Sequence, residues 1–365
     1  MATPSASKWQ PGQLLFVGFE GTSLPPDLAR LIAQGRVGGV ILFTRNLATA
    51  GHTDGPRQDP EAIAGLIRSI HEAAPPDLPT MIAIDQEGGR VQRMAEPWTR
   101  WPPMRRLGEV ADDRQTTAVA EALATELLDA GIALDFTPVV DVDTNLDNPV
   151  IGDRSFGRTP EVVARHAAIV IQAMQARGVA TCAKHFPGHG DTVSDSHHEL
   201  PRLPHDLDRL RAVELPPFAA AIAAGVSAIM TAHVVFEAID AKRPATLSPD
   251  VINVLREELG YDGLVFSDDL EMRAVADHYR PRQIVDGALG ADVDALLVCR
   301  HSGLRDEVLG ALEAQPDARI ERAVERMVGF KAAYAERARE IALGEDRRGP
   351  PYEAHQRLAR ALEGG

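Results

Sequence analysis

Eight short apolar runs divide this chain, and each one is followed by a loop and then by a stretch with helical spacing. The runs cover residues 13–19, 38–43, 80–85, 132–141, 180–186, 228–233, 264–269 and 295–299. Continuous Val, Ile, Leu and Phe, without alternating polar residues, are typical of parallel strands buried on both faces. Strands that alternate with helices in this way predict an α/β fold with a parallel sheet.

The stretches between the runs carry the start and stop signals of helices. Helices are predicted over residues 26–35, 59–74, 159–178 and 248–260. Asp59, Thr159 and Ser248 each precede a proline, which is the favoured order of an N-cap and a first helical residue. Gly178 and Gly260 follow two of these patterns, and a glycine commonly ends a helix.

Eight strand–helix units predict a single-domain (β/α)8 TIM barrel with extra C-terminal helices. An open, doubly wound sheet is the alternative. It is disfavoured because no GxGxxG follows the first run and because eight units suit closure. We expect an N-terminal extension over residues 1–11, the catalytic barrel over 12–340, and a tail with a short helix over 341–365.

The charge balance bears on the partners of the protein. Lys and Arg number 38 against 53 Asp and Glu, a net charge of -15, which disfavours non-specific binding of nucleic acid. No run of about 18 apolar residues predicts a membrane span, and the first residues lack the pattern of a signal peptide. Cys182 and Cys299 lie in apolar runs and predict buried free thiols. We therefore expect a cytoplasmic protein with neither a membrane nor a nucleic acid as partner.

Ionisable residues stand at the ends of five of the predicted strands. They are Asp85, Asp141, Asp143, Lys184, His185, His233, Asp268 and Asp269. The carboxyl ends of the strands carry the active site in a TIM barrel, and charges are costly inside apolar strands unless they are paired or functional. These residues predict a site on that face, and paired structural charges at loop junctions are the alternative.

The densest group of such residues follows the fifth strand, within residues 184–201. It contains His185, His189, Asp191, Asp195, His197 and His198. A metal site is one interpretation, although the spacing forms no helical HExxH motif and no cysteine joins the group. Acid/base chemistry is the other, because Asp195 and His197 would face the same side of an extended segment and an aspartate stabilises an imidazolium.

A carboxylate nucleophile is available on the seventh strand, where Asp268 and Asp269 are adjacent. Neighbouring residues of a strand face opposite sides, so only one of the two can readily face a pocket. The sequence leaves open which one does. We expect the other carboxylate to cap a helix or to bind a loop.

Five motifs together resemble the single-domain β-N-acetylglucosaminidases of glycoside hydrolase family 3. They are KHFPGHGDTVSDSH (184–197), DQEGGRVQRM (85–94), GGVILFTRN (38–46), NPVIGDRSFG (148–157) and VFSDDLEM (265–272). They occur in the order of the family, and the resemblance extends from about residue 12 to 340. Thr159 departs from the family, since many relatives have an acidic residue at that helix cap.

The resemblance implies a retaining mechanism. Asp268 would attack the anomeric carbon, and His197, paired with Asp195, would act as acid and base. The residues implied to form the sugar pocket are Asp85, Arg93, Arg154, Lys184 and His185, together with Asp141, Asn148 and Met272. His233 is added because it ends a predicted strand. No metal and no organic cofactor is implied.

The resemblance also implies a substrate. We expect removal of terminal, non-reducing β-linked N-acetylglucosamine (GlcNAc) from small carbohydrates, namely GlcNAc-β-1,4-anhydroMurNAc peptides of cell-wall recycling or chitooligosaccharides. A phosphorylase of the same family and a β-glucosidase remain alternatives, although relatives of the latter kind usually have a second domain. A metal-dependent barrel hydrolase and an inactive sugar-binding barrel are alternatives of other classes.

Overall fold

The computed structural model describes residues 10–52, 55–192, 200–345 and 347–364. Within these ranges, eight parallel strands close into a barrel, and β1 lies between β2 and β8. The strands are β1 (Leu15–Val17), β2 (Gly39–Leu42), β3 (Met81–Ile84), β4 (Leu134–Asp135), β5 (Ala180–Phe186), β6 (Ala228–Thr231), β7 (Leu264–Asp269) and β8 (Ala295–Val298). The predicted (β/α)8 fold is confirmed.

In seven of the eight strands, both the first and the last residue lie within two positions of the predicted range. The exception is β4, which is far shorter than the predicted 132–141. Pro138 interrupts this segment because it has no N–H to donate to the ladder. Beyond it, Val139 forms only an isolated bridge with Lys184, and the Val140 N–H donates to the Lys184 carbonyl at 2.8 Å. The chain therefore stays beside β5 without forming a regular strand.

Helices surround the barrel on its outer side. They are α1 (Pro26–Ala33), α2 (Pro60–Ala73), α3 (Arg105–Val110), α4 (Asp113–Ala130), α5 (Pro160–Arg177), α6 (Leu207–Arg209), α7 (Leu215–Ala223), α8 (Pro249–Asn253), α9 (Arg273–Ala276), α10 (Pro281–Gly290), α11 (Ser302–Glu313), α12 (Asp317–Leu343) and α13 (Glu353–Glu363). No helix among the described residues is both long enough and apolar enough to cross a membrane.

The predicted N-caps have different outcomes. The Asp59 side chain accepts hydrogen bonds from two backbone N–H groups of α2, and Ser248 accepts one from Val251 at the start of α8. Thr159 occupies the N-cap of α5, but its side chain makes no capping bond. The helix predicted over 248–260 is also shorter, because α8 ends at Asn253 and a π-helical turn follows.

Three phenylalanine rings fill the interior of the barrel. The ring of Phe266 on β7 meets Phe16 at 4.9 Å and Phe136 at 5.4 Å between centroids, and both contacts are edge-to-face. Since side chains of a strand alternate between its two faces, Asp268 follows Phe266 on the inward face of β7. The packing of the core thus directs Asp268 into the barrel mouth, while the pairing of β7 with β8 shifts register between Phe266 and Asp269.

A buried lysine, Lys331 of α12, lies against the segment that precedes β1, away from the barrel mouth. Lys331 of α12 is 1% exposed, and its Nζ donates to Gln13 Oε1 at 2.7 Å. Gln13 in turn donates to the carbonyls of Gly35 and Val37. Burial lowers the pKa of Lys331 from 10.5 to about 7. Folding therefore favours the neutral amine.

Replacement of Lys331 by methionine is expected to remove a pH dependence of stability. Between about pH 7 and 10.5 the unfolded chain binds more protons at this lysine, so wild-type stability rises with pH, by at most about 1.4 kcal/mol per unit. Urea unfolding at pH 7 and pH 9 measures the free energy of unfolding of both proteins. The difference, variant minus wild type, should be more favourable to the variant at pH 7 than at pH 9. A stability difference that is the same at both pH values would contradict this assignment.

Candidate active site

A cavity of about 190 Å³ opens at the carboxyl ends of the strands. Its wall includes Asp85, Arg93, Arg154, Lys184, His185, Asp268 and Met272, all of which the sequence assigned to one site. Two wider clefts, of about 650 and 460 Å³, lie beside the C-terminal residues and contain none of the predicted site residues. Pockets for drug-sized ligands measure about 300–1,000 Å³, so the smaller cavity favours one small polar ligand.

Asp268 is an ionised carboxylate on the cavity wall. Burial opposes its ionisation, but the neighbouring histidines 185 and 233 and Lys184 favour it, and the Asp269 N–H donates to Asp268 Oδ1 at 2.8 Å. The net effect is that the pKa of Asp268 lies below its ordinary value. An ionised carboxylate on the wall of a small cavity is suited to nucleophilic attack.

Asp269 has a different environment from its neighbour. Its Oδ1 accepts backbone hydrogen bonds from Glu271 at 3.1 Å and from Cys299 at 3.3 Å. Burial, helped by the nearby Glu271, raises the pKa of Asp269 to about 7. Asp269 lines the same cavity as Asp268, but its Oδ1 is already bound by backbone groups of two loops, as expected for the aspartate that does not react.

Lys184 links two carboxylates beneath the cavity. Its Nζ lies 2.8 Å from Asp85 Oδ1 and 2.7 Å from Glu87 Oε1, and Arg93 contacts the other oxygen of Asp85 at 3.0 Å. Although burial works against every charge here, the ion pairs raise the pKa of Lys184 and lower those of Asp85 and Glu87. All of these groups are therefore ionised at neutral pH.

Arginine side chains also shape the wall. Arg154 makes a bidentate contact with Glu87, with distances of 2.8 and 2.7 Å. Arg93 lies over the ring of Phe43 at 5.2 Å, and Arg45 lies over the same ring at 4.3 Å. Fixed guanidinium and ammonium groups beside carboxylates can bind neutral hydroxyls, which both donate and accept hydrogen bonds.

Comparison with known proteins agrees with this geometry. The family model for the N-terminal domain of glycosyl hydrolase family 3 matches residues 10–329. The chain belongs to glycosyl hydrolase family 3. The family resemblance seen in the sequence is confirmed, and the protein is a glycosidase.

Named relatives of this family 3 glycosidase cover most of its length. It is 40% identical to a beta-hexosaminidase of Bordetella parapertussis over 88% of this chain and 90% of that protein. The structure of a β-N-acetylglucosaminidase from Paenibacillus sp. matches with a TM-score of 0.88 and 38% identity, over 98% of this chain and 68% of that one. NagZ from Neisseria gonorrhoeae matches with a TM-score of 0.79 and 32% identity, over 97% and 98%.

Three residues assigned to the pocket of the glycosidase lie behind its wall. Asp141 accepts from the His185 ring at 2.8 Å and from the His189 N–H at 2.6 Å, so it holds His185 and does not line the cavity. His233 is fully buried between Thr246 and the Asp269 carbonyl. Asn148 bonds the His189 carbonyl.

Asp143 is a paired structural charge, which was the alternative for the ionisable residues at strand ends. It lies 2.7 Å from Arg105 and does not line the cavity. Asp195, His197 and His198 lie outside the described residues. Asp191, which precedes them, accepts from Thr144 at 2.9 Å and lies 2.7 Å from His205. Within the described ranges, no three His, Cys, Asp or Glu side chains are grouped as metal ligands.

Two residues of the site were not singled out from the sequence as pocket residues. Glu87 lies two positions after Asp85, and the period of an extended chain could have placed it on the same side. His189 lines the cavity, and burial lowers its pKa to about 4, which keeps the ring neutral. The position of His189 in the KHFPGHGD motif indicated a role in the site. Five other His and Asp residues of the same segment carried the same indication, so the sequence could not single it out.

Proposed function

We propose that this protein is a β-N-acetylglucosaminidase that removes terminal, non-reducing GlcNAc by a retaining double displacement. The observation that carries the proposal is the ionised Asp268 in a small cavity whose other polar groups suit sugar hydroxyls. Relatives named beta-hexosaminidase and β-N-acetylglucosaminidase support the choice of sugar. The Neisseria gonorrhoeae protein has also been solved with N-trifluoroacetyl-D-glucosamine.

In the first step, an Asp268 oxygen attacks the anomeric carbon and the bond from that carbon to the leaving oxygen breaks. His197, paired with Asp195, gives its proton to that oxygen. In the second step, neutral His197 takes a proton from water, the water oxygen bonds to the anomeric carbon, and Asp268 leaves as a carboxylate. Two inversions restore the β configuration. A histidine–aspartate pair thus serves in place of the usual second carboxyl group.

The remaining charged residues bind the sugar. Both oxygens of Asp85 are already engaged by cations, so a hydroxyl that donates to Asp85 can also accept from Lys184 or Arg93. His185 is oriented by Asp141 at its Nδ1, which leaves its other ring nitrogen for a ligand. Charge-assisted bonds of this kind are stronger than neutral ones, so they favour a polyhydroxylated ligand.

For the substrate class, we propose peptidoglycan fragments of the type GlcNAc-β-1,4-anhydroMurNAc peptide, hydrolysed in the cytoplasm. The resemblance of the sequence motifs to the single-domain enzymes of cell-wall recycling supports this choice over chitooligosaccharides. Comparison of kcat/KM for the two classes tests it. A higher kcat/KM for chitobiose than for the muropeptide would contradict this proposal and identify chitooligosaccharides as the substrate class.

The activity itself is tested with p-nitrophenyl glycosides. We expect the β-GlcNAc glycoside to be hydrolysed at least about tenfold faster than the β-glucoside, since a site built for polar groups rejects analogues that lack them. Proton NMR of early product should show β-GlcNAc before mutarotation. Faster turnover of the glucoside, or α-GlcNAc as first product, would refute the proposal. GlcNAc-1-phosphate that increases with added phosphate would identify a phosphorylase.

A further inference from the structure

Glu87 contacts two cations of the cavity wall but does not line the cavity itself. It is 1% exposed and lies in the short strand Gln86–Gly88, directly after β3. A ligand in the cavity would meet Lys184 and Arg154, and the carboxylate behind them would stay hidden. Any effect of Glu87 on the reaction therefore has to pass through these two side chains.

The contacts fix both cations in direction as well as in distance. Glu87 Oε1 lies 2.7 Å from Lys184 Nζ and 2.7 Å from Arg154 Nη2, and Oε2 lies 2.8 Å from Arg154 Nε. A bidentate guanidinium–carboxylate pair sets the plane of the arginine, which a single contact would not do. The side chains of Lys184 and Arg154 are 2% and 11% exposed, so bulk water has little access to replace Glu87 as their partner.

Two other carboxylates of the wall could compete for these cations. Lys184 already pairs with Asp85, and the ionised Asp268 lies on the same cavity. If the charge of Glu87 were absent, buried Lys184 and Arg154 would lower their energy by moving toward Asp268. A nucleophile held in a close ion pair is less reactive, and its cations no longer face the sugar.

We propose that Glu87 is a positioning residue that holds Lys184 and Arg154 against the sugar hydroxyls and keeps them away from the nucleophile Asp268. The proposal rests on the glycosidase function proposed above, and it adds a carboxylate that never touches the substrate. It also gives each of three carboxylates around this small cavity a separate part: Glu87 orients the cations, Asp85 binds the sugar and Asp268 reacts.

The test is Glu87→Gln, which keeps the shape of the side chain and removes its charge. With the p-nitrophenyl β-GlcNAc glycoside we expect KM to rise at least about tenfold, because charge-assisted contacts to the sugar are lost. The 3-, 4- and 6-deoxy analogues give the sharper readout. For each analogue, the deoxy penalty is the factor by which kcat/KM falls when that hydroxyl is removed. At one or more positions this penalty should be at least about tenfold smaller in the variant than in wild type, since the cations no longer face the hydroxyl.

Asp294 offers a matched control at the opposite end of the barrel, just before β8. It is fully buried and pairs with two cations, Arg256 and Arg326, both at 2.8 Å. Asp294→Asn should therefore lower the melting temperature while KM and all deoxy penalties stay as in wild type. Glu87→Asp, which keeps the charge but cannot reach both cations, replaces Glu87→Gln if the latter does not fold, with the same expected direction.

Unchanged KM and unchanged deoxy penalties in a folded Glu87 variant would overturn the proposal. So would equal changes in the Asp294 control, because the effect would then be one of general stability. The crystal structure of the Glu87 variant separates this proposal from the proposed function. If wild type hydrolyses no glycoside, the proposed function is wrong. In the crystal structure of the variant, displaced Lys184 and Arg154 side chains would still support the positioning role. Side chains that have not moved would overturn it.

Discussion

Asp268→Asn is expected to reduce kcat on the p-nitrophenyl β-GlcNAc glycoside by on the order of a thousandfold or more, because the amide cannot form the glycosyl intermediate. The substitution preserves shape, so the fold and the binding of GlcNAc should persist. Steady-state kinetics, with circular dichroism to check the fold, measures the effect. Residual turnover within about tenfold of wild type would show that another group attacks the sugar.

Asp269→Asn is the natural control for this experiment. Its carboxylate is bound by two backbone N–H groups, so we expect a loss at least about tenfold smaller than that of Asp268→Asn. Mass spectrometry after reaction with a 5-fluoro sugar should place the covalent adduct on Asp268 in wild type. An adduct on Asp269, or equal losses in the two variants, would reverse the assignment that the alternation along β7 supports.

Lys184→Met is expected to have the largest effect on stability, about 3–5 kcal/mol at pH 7. The substitution leaves Asp85 and Glu87 buried without the ammonium group that now lies 2.8 and 2.7 Å away. Urea unfolding measures the change. Activity should also fall, because Lys184 lines the cavity.

The cost of Lys184→Met should shrink in acid. The folded pKa of Glu87 is lowered to about 2 and that of Asp85 is also lowered, so in wild type they contribute stability above about pH 4.5 that is lost as the pH falls toward 2. The variant lacks much of this contribution, so its difference from wild type narrows below about pH 4.5. Lys331→Met, the same change at a lysine bonded to a neutral glutamine, should cost much less. Equal costs would show that the loss reflects packing alone.

Local patterns in the sequence were enough to predict the barrel and most of the cavity wall. Buried parallel strands are continuous apolar runs, so each run could be located, and the polar residue that ends a run falls on the face where ligands bind. Asp85, Lys184 and Asp268 were found in this way. The choice between Asp268 and Asp269 needed the structure, because both line the cavity and only their surroundings distinguish the ionised Asp268 from the loop-bound Asp269.

What the sequence missed depends on contacts between distant segments. Asp141 ends a predicted strand just as Asp85 does, yet the irregular chain after Pro138 turns it behind His185. His233 is removed from the cavity by Thr246, which lies in the following loop. Glu87 became visible only when Arg154, 67 residues later, was placed against it. Such pairings have no periodic signal along the chain.

The rings of Phe16, Phe136 and Phe266 close the barrel below the cavity, and Phe136 forms part of its floor. A polysaccharide consequently cannot thread through this protein, and the cavity of about 190 Å³ favours a terminal sugar over a segment from the middle of a chain. Each encounter would release one monosaccharide and then require the shortened chain to re-enter. A long polymer would therefore be trimmed gradually, with its bulk properties nearly intact while free sugar accumulates.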